Sequence, residues 1–301
     1  MNQAGVKRPA PNKKAPRTNR RNQLTFLGAS VVVLVLLVVW IVWGNTALEV
    51  SKFIVSSEKL PEVFSGYRIA QISDLHNAQF GEKNSQLLEL LESAEPDCIV
   101  LTGDLVDSRR TDVEVAVSFV EQAVEIAPVY YVNGNHEARI EEYEVLKAGL
   151  EKAGVTVMEN QVVPLERSGQ QIYLAGVNDP GFQTDFPFDE PEQVLRWELE
   201  QVTPETDGYW ILLSHRPEYF DLYEEFGADL VFSGHAHGGQ IRLPVIGGLA
   251  APGQGFFPKY DDGLYTEGST SMLVSRGLGN SLFPFRVNNR PEILVAELRC
   301  A

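Results

Sequence analysis

The chain is short of cysteine and of histidine, and at its start it has no acid. Two cysteines occur in 301 residues: Cys98 lies in an apolar run and Cys300 is penultimate. Two such thiols build no disulfide framework, and both are read as free. Without a set of thiolates, a structural zinc site is excluded as well. No acidic residue precedes position 24, although Asp and Glu outnumber Lys and Arg 41 to 25 over the whole chain. Residues 24–43 carry no charge of either sign. Beyond residue 45 there is no low-complexity tract and no internal repeat. Apolar residues at 44% and charged residues at 22% exclude disorder for this remainder, which has enough apolar side chain to bury a core.

What is present at the N-terminus explains those gaps. Seven basic residues (Lys7, Arg8, Lys13, Lys14, Arg17, Arg20, Arg21) precede the uncharged run. As a helix at ~1.5 Å per residue, that run covers the roughly 30 Å hydrocarbon core of a bilayer. Trp40 and Trp43 stand near its end, where aromatic rings favour the membrane–water interface. The positive-inside rule keeps the basic tail in the cytoplasm and exports the rest. No A-x-A site follows Trp43, and the run exceeds a signal-peptide h-region, so an uncleaved signal-anchor is expected. The organisation expected is a basic cytoplasmic tail at 1–23, a transmembrane signal-anchor at 24–43, a linker and lead-in at 44–60, and one catalytic domain at 61–301 on the outer side of the cell membrane. With the whole chain at −16 and the tail at +7, the remainder carries −23. That charge repels nucleic-acid phosphates and excludes polymeric DNA or RNA as a partner.

The body alternates short apolar strands with helices. Strands are expected at 67–72, 98–101, 129–132, 172–176, 209–213, 230–232, 272–275 and 293–298, and helices at 84–94, after 111 and up to 153. Thr111-Asp-Val-Glu114 reads as a capping box, and Gly154 as a helix stop. Residues 239–270, rich in Gly and Pro, read as long loops. The alternation argues an α/β fold with partly parallel sheets.

Ligand sites in such sheets gather past the carboxyl ends of strands, and the polar clusters fall there. They are Asp74-Leu-His76, Gly103-Asp104, Asn133-Gly-Asn135-His136-Glu137, Ser214-His215 and Gly234-His235-Ala236-His237. All five histidines of the chain lie in these clusters. Imidazole with carboxylate suits Mn, Fe or Zn. Asp104, with two oxygens, can bridge two ions, and ions roughly 3.5–4 Å apart can hold a hydroxide and clamp an in-line displacement at phosphorus. Glycines beside Asp104, Asn135 and His235 allow sharp turns and close approach.

In this order the five blocks closely resemble the calcineurin-like metallophosphoesterases, over about residues 60–300. Leu60-Pro61, Gly238-Gly239-Gln240 and Asn289-Arg290-Pro291-Glu292-Ile293 look like a bacterial membrane-associated branch, which includes the UDP-diacylglucosamine pyrophosphohydrolases. The resemblance implies an α/β fold of two packed mixed β-sheets flanked by helices, a four-layer sandwich, here preceded by one transmembrane helix. It implies two divalent ions, one held by Asp74, His76, Asp104 and His237, the other by Asp104, Asn135, His215 and His235. His136 would protonate the leaving oxygen or stabilise charge on the phosphoryl group, and Glu137 would orient His136. Asn77, Arg242 and Arg286 are candidate substrate contacts. Phe256-Phe257-Pro258 and Leu282-Phe283-Pro284-Phe285 are candidate borders of the site.

The activity expected is hydrolysis of a phosphodiester, phosphomonoester or diphosphate. Only about twenty residues, of which Val50–Val55 looks extended and partly apolar, link Trp43 to the first catalytic strand; that span holds the body near the membrane and points to a lipid-linked or envelope-derived substrate, with a small soluble phosphodiester as the alternative. The competing reading is a catalytically silent metal-binding scaffold or sensor; silent relatives generally lose ligands, and here none is lost.

Overall fold

The structure, a computed structural model, describes residues 20–182, 190–280 and 283–301. The basic tail up to residue 19 and Leu282 lie outside them. The chain divides into two compact units, Met1–Val42 and Trp43–Ala301.

In the first unit, helix α1 (Arg20–Thr46) begins. Its segment Gln23–Thr46 has 24 residues with mean hydropathy 2.8. Apolar side chains are exposed on consecutive residues, from Val31 through Val39, so no face is polar. A helix apolar all round finds a suitable solvent in lipid. This one is long and apolar enough to cross a membrane.

The second unit is built on two six-stranded mixed sheets. The first contains β1 (Glu49–Ser57), β2 (Arg68–Ile72), β3 (Cys98–Thr102), β4 (Val129–Val132), β5 (Thr156–Val157) and, from the far end of the chain, β16 (Glu292–Cys300), in the order β1-β16-β2-β3-β4-β5. The second contains β6 (Gln161–Arg167), β7 (Gln170–Gly176), β8 (Trp210–Leu213), β9 (Leu230–Ser233), β14 (Gly263–Glu267) and β15 (Thr270–Val274), in the order β14-β15-β9-β8-β7-β6. Between β9 and β14 the stretch expected to be long loops carries two small hairpins, β10 (Arg242–Leu243) with β11 (Gly247–Gly248) and β12 (Ala250–Ala251) with β13 (Gly255–Phe256).

Alternation along the strands builds the four layers. Ile69 of β2 and Cys98 and Val100 of β3 face the second sheet, where Leu174, Ile211, Leu213, Leu230 and Phe232 meet them. Their neighbours Ala70, Ile72, Ile99 and Leu101 face outward onto the helices α2 (Ser85–Ser93), α3 (Val113–Ala123) and α4 (Tyr143–Ala153) through Leu87, Phe119 and Leu146. On the far face of the second sheet, Trp210, Leu212 and Val231 pack on α5 (Pro191–Val202) and α6 (Phe220–Glu225) through Leu195, Leu199 and Phe220. Each fully buried side chain of this kind stabilises the fold by roughly 1.5–3 kcal/mol, and a one-residue slip of any strand would exchange its two faces.

Two local expectations are corrected. The segment read as a linker is β1, which lies parallel to β16 in register from Glu49↔Glu292 to Ser57↔Cys300. Its alternation is the reason: Phe53 and Val55 turn into the core between the sheets while Ile54 stays exposed. The Thr111–Glu114 capping box is not made; α3 is capped one residue later by the Asp112 side chain, which accepts from the Val115 amide at 3.4 Å. Gly154 does end α4, at φ 99°.

Candidate metal centre

The loops leaving β2, β3 and β4 in one sheet meet those leaving β8 and β9 in the other. Asp74 and His76 follow β2, Asp104 follows β3, Asn135 and His136 follow β4, His215 follows β8, and His235 and His237 follow β9. All eight side chains are buried. Asp74, His76, Asp104, His235 and His237 each sit at a positive φ between 46° and 63°. Non-glycine residues rarely adopt such angles, and clusters of them mark functional sites. Two glycines make the seam between the sheets close-fitting. A Cβ on Gly103, itself at φ 84°, would lie 2.7 Å from His215 Nδ1, and one on Gly234 would lie 1.9 Å from Ser73 Oγ.

Two ligand sets share one carboxylate. Asp74, His76, Asp104 and His237 bring four buried ligand atoms within 4.8 Å of one another, and Asp104, His215 and His235 bring three. In the first set, His76 Nε2 lies 3.2 Å from His237 Nε2 and 3.6 Å from Asp104 Oδ2, and His237 Nε2 lies 3.3 Å from Asp74 Oδ1. In the second, His215 Nε2 lies 3.3 Å from the same Asp104 oxygen, 3.1 Å from His235 Nδ1 and 3.2 Å from Asn135 Oδ1. His215 Nδ1 is 2.7 Å from the Thr102 carbonyl, a group that can only accept, so Nδ1 carries a proton and donates there. The Nδ1 atoms of His76 and His237 are buried with no hydrogen-bond partner.

The electrostatics differ between the sets. Burial pushes the His76 pKa down to about 4 and lowers His237 as well, so both rings are neutral. Burial lifts the Asp74 carboxyl to about 6, against the pull of His215. Burial alone would raise Asp104 too, but His215 and His76 beside it hold it well below the usual carboxylate range. Burial disfavours the His215 cation, yet Asp104 outweighs that and lifts its pKa to about 10. Imidazoles, carboxylates and one amide oxygen, converging without a lysine or arginine among them, form a donor set that fits divalent cations once His215 gives up its proton.

His136 stands apart from both sets. Its ring lies edge-on to His76 at 4.5 Å, and its Nδ1 accepts from the Ser108 amide at 3.0 Å with the Ser108 hydroxyl at 3.1 Å. A backbone amide can only donate, so Nδ1 bears a lone pair and Nε2 carries the proton of the neutral ring. The expected Glu137–His136 pairing is corrected. Both Glu137 oxygens are taken by main-chain amides, those of Asp104 and Gly134 at 2.8 Å and that of Val106 at 3.2 Å. Glu137 therefore staples the β3 and β4 loops together, and Ser108 sets the His136 ring.

A cleft of about 660 Å³ opens over the first set, lined by His76, Asn77, Ala78, Arg109, Arg110, Asp112, Asn280 and Pro284. Asn77 lines this cleft, donating to the Arg110 carbonyl at 2.5 Å with a buried Oδ1 that has no partner. The two arginines expected as substrate contacts are elsewhere. Arg286 is 1% exposed and donates to the Arg276 and Gly279 carbonyls, which fastens the loop whose Gly279 amide holds the Asp74 carbonyl. Arg242 is neutralised by Asp261 at 2.8 Å and Asp262 at 2.7 Å. Phe256, Phe257, Phe283 and Phe285 are all exposed, and of the two aromatic stretches Pro284 reaches the cleft wall. The cations at the cleft are Arg109, bound to Asp107 at 2.8 Å, and Arg110, whose side chain is 80% exposed. Their signal is that Asp107-Ser108-Arg109-Arg110 continues the polar run after β3.

The comparisons with known proteins agree with this geometry. The family model for calcineurin-like phosphoesterases matches residues 67–239. An uncharacterised metallophosphoesterase of Bacillus subtilis, YkuE, is 28% identical over 266 residues, 84% of this chain and 86% of its own length. The phosphodiesterase YaeI of Escherichia coli is 28% identical over 240 residues, 77% and 82% of the two chains. A transmembrane protein with a metallophosphoesterase domain from Bos taurus is 30% identical over 285 residues, covering 91% of this chain and 62% of that one. Among solved structures, TT1561 of Thermus thermophilus superposes with a TM-score of 0.50 at 18% identity, over 71% of this chain and 91% of that one.

Proposed function

Starting from the fact that the chain belongs to the calcineurin-like phosphoesterase family, we propose that it is a two-metal hydrolase of phosphate esters working at the outer face of the membrane. The observation that carries this is the pair of buried ligand sets sharing Asp104, with a cleft beside them that His76 of the first set lines together with Asn77, Arg109 and Arg110. Asp74, His76, Asp104 and His237 would hold one ion; Asp104, Asn135, His215 and His235 would hold the other. Divalent ions bound there supply charge stabilisation for the phosphoryl group and activation of water.

The chain's own residues do the rest. Arg110 and Asn77 receive the phosphoryl oxygens at the cleft. His136, its Nδ1 held by Ser108, offers Nε2–H to the oxygen on which charge develops and passes it to a poor leaving group. Glu137 keeps the Asp104 and Gly134 amides in place, and so the bridging carboxylate. The organisation follows the charge pattern: basic tail inside, apolar span, acidic catalytic body outside. The Escherichia coli relative, a phosphodiesterase, makes phosphodiesters the first substrate class to try, and the short tether favours lipid-linked or envelope-derived members of that class.

The test is metal analysis of the purified full chain, followed by hydrolysis of bis(p-nitrophenyl) phosphate, a phosphomonoester and a nucleoside-diphosphate sugar. Two ions and no hydrolysis of any would favour the silent scaffold instead. His136→Ala should keep both ions and slow turnover ~10²–10⁴-fold, less for p-nitrophenolate than for an alkoxide leaving group. An unchanged rate with an alkoxide removes His136 from the mechanism.

A further inference from the structure

The rim of the cleft is tied directly to the end of the membrane span. Asn45, inside the apolar segment Gln23–Thr46, donates to the Arg286 carbonyl at 3.1 Å and accepts from the Arg286 amide at 2.7 Å and from Asn280 at 3.3 Å. Arg290 adds bonds to the Ala47 and Leu48 carbonyls and lies over the Trp43 ring at 4.9 Å. Gln240 donates to the Phe283 and Phe285 carbonyls, and the Arg242 amide to the Val287 carbonyl. The 283–287 loop and the β10–β11 hairpin are thus one hydrogen-bonded assembly with residues 43–48.

This assembly carries apolar side chains that nothing within the unit covers. Val245 and Ile246 at the hairpin tip are 107% and 63% exposed, and Phe283 and Phe285 are 51% and 39% exposed. Elsewhere in the unit Ile54, Val145 and Trp197 stand singly, which is ordinary for a protein surface, while Phe256 and Phe257 at β13 form another exposed pair. Val245 also holds φ 72°, a costly angle for a β-branched residue. Distance decides what can cover them. Phe285 adjoins Arg286 in the chain and Phe283 is three residues away, so both lie within roughly 11 Å of the residue bonded to Asn45. Apolar faces of interfacial segments sink ~5–10 Å into the headgroup and acyl boundary, a matching depth.

We infer that the Val245-Ile246 tip and the Phe283–Phe285 loop are a second membrane contact, seated in the lipid interface of the bilayer that holds α1. Pro284 and Asn280, from the same loop, wall the cleft, so this seating holds the cleft mouth at the lipid surface. The inference rests on the membrane span and not on the hydrolase reading, so inactivity on every phosphate ester would leave it standing.

The full chain, carrying Cys300→Ser so that Cys98 (0% exposed) is the one remaining native thiol, is reconstituted in vesicles of phosphatidylethanolamine and phosphatidylglycerol. Single cysteines at Val245→Cys, Phe285→Cys or, as an equally apolar control, Val145→Cys carry a nitrobenzoxadiazole fluorophore. Brominated lipid should remove most of the emission at 245 and 285 while iodide in the water removes little; at 145 the order should reverse. Quenching of 245 and 285 by iodide to the extent seen at 145 would overturn the inference. Shielding of both sites from both quenchers would overturn it too, in favour of a protein partner or a second copy. A blue-shifted emission at 285 that Val245→Asp with Ile246→Asp moves to the red would support a single seating surface.

Discussion

The two halves of the candidate metal centre each pair two histidines with the shared Asp104, yet they hold protons differently. On the side of Asp74, His76 and His237, burial has made both imidazoles neutral, and the one carboxyl that resists ionisation does so only below about pH 6. On the side of Asn135, His215 and His235, Asp104 keeps His215 charged up to about pH 10. The difference follows from partners. His215 donates from Nδ1 to the Thr102 carbonyl and faces Asp104 at 3.3 Å with Nε2, so both edges favour a proton. Neither Nδ1 of His76 or His237 has such a partner. One half is ready for a cation; the other must exchange a proton for it.

The largest effect should come from erasing the shared residue. Asp104→Ala is expected to lose both ions and to cut turnover by ~10⁴-fold or more, the scale of losing a site's central group. Two ions retained on metal analysis would remove Asp104 from the bridge. Glu137→Ala comes next, because it leaves three buried amides unpaired at ~1–3 kcal/mol each; allowing for water entering the gap, a loss of about 3 kcal/mol is expected by urea titration. A change below about 1 kcal/mol would mean that the β3 and β4 loops stand without the staple. His237→Ala should weaken one ion and spare the other, so that titration with metal shows one tight and one loose site; two equally weakened sites would merge the halves.

The smallest effect is a proton count. At neutral pH, filling the His215 half should release about one proton and filling the other half none, since ligands must be deprotonated to bind. Affinity of the His215 half should therefore rise with pH up to about 10, and affinity of the Asp74 half should level off above about 6. Calorimetry in buffers of different ionisation enthalpy reads the release. Identical release from both halves would erase the distinction.

How far these features were legible in the sequence depended on whether they were local. The strand-end clusters could be read because each is a short apolar run followed by its polar residues, and eight β-strands fell close to their expected positions on the same ground. The partner of an arginine or a glutamate is a different matter. Arg286 and Glu137 look available in the sequence, but their acceptors and donors come from loops brought close by the fold. The extended, partly apolar character of 50–55 was legible, but its pairing was not, since nothing in residues 49–57 names a partner more than 240 positions away. The α3 cap missed by one residue because Thr111 and Asp112 are both good capping residues.

The pairing of β1 with β16 also sets an order of events. In the sheet, β16 lies between β1 and β2, so the first strand made has no neighbour until the last has arrived. The run β2 to β5 is parallel, its members follow one another in the chain, and it can assemble as it emerges. β1 cannot. Until β16 is made, the first strand must wait unpaired with its backbone groups open to any other edge, a known aggregation hazard. The residues 43–48 that meet Arg286 and Arg290 wait with it, so the stretch before β1 gains its hydrogen bonds only when the last part of the chain has been made.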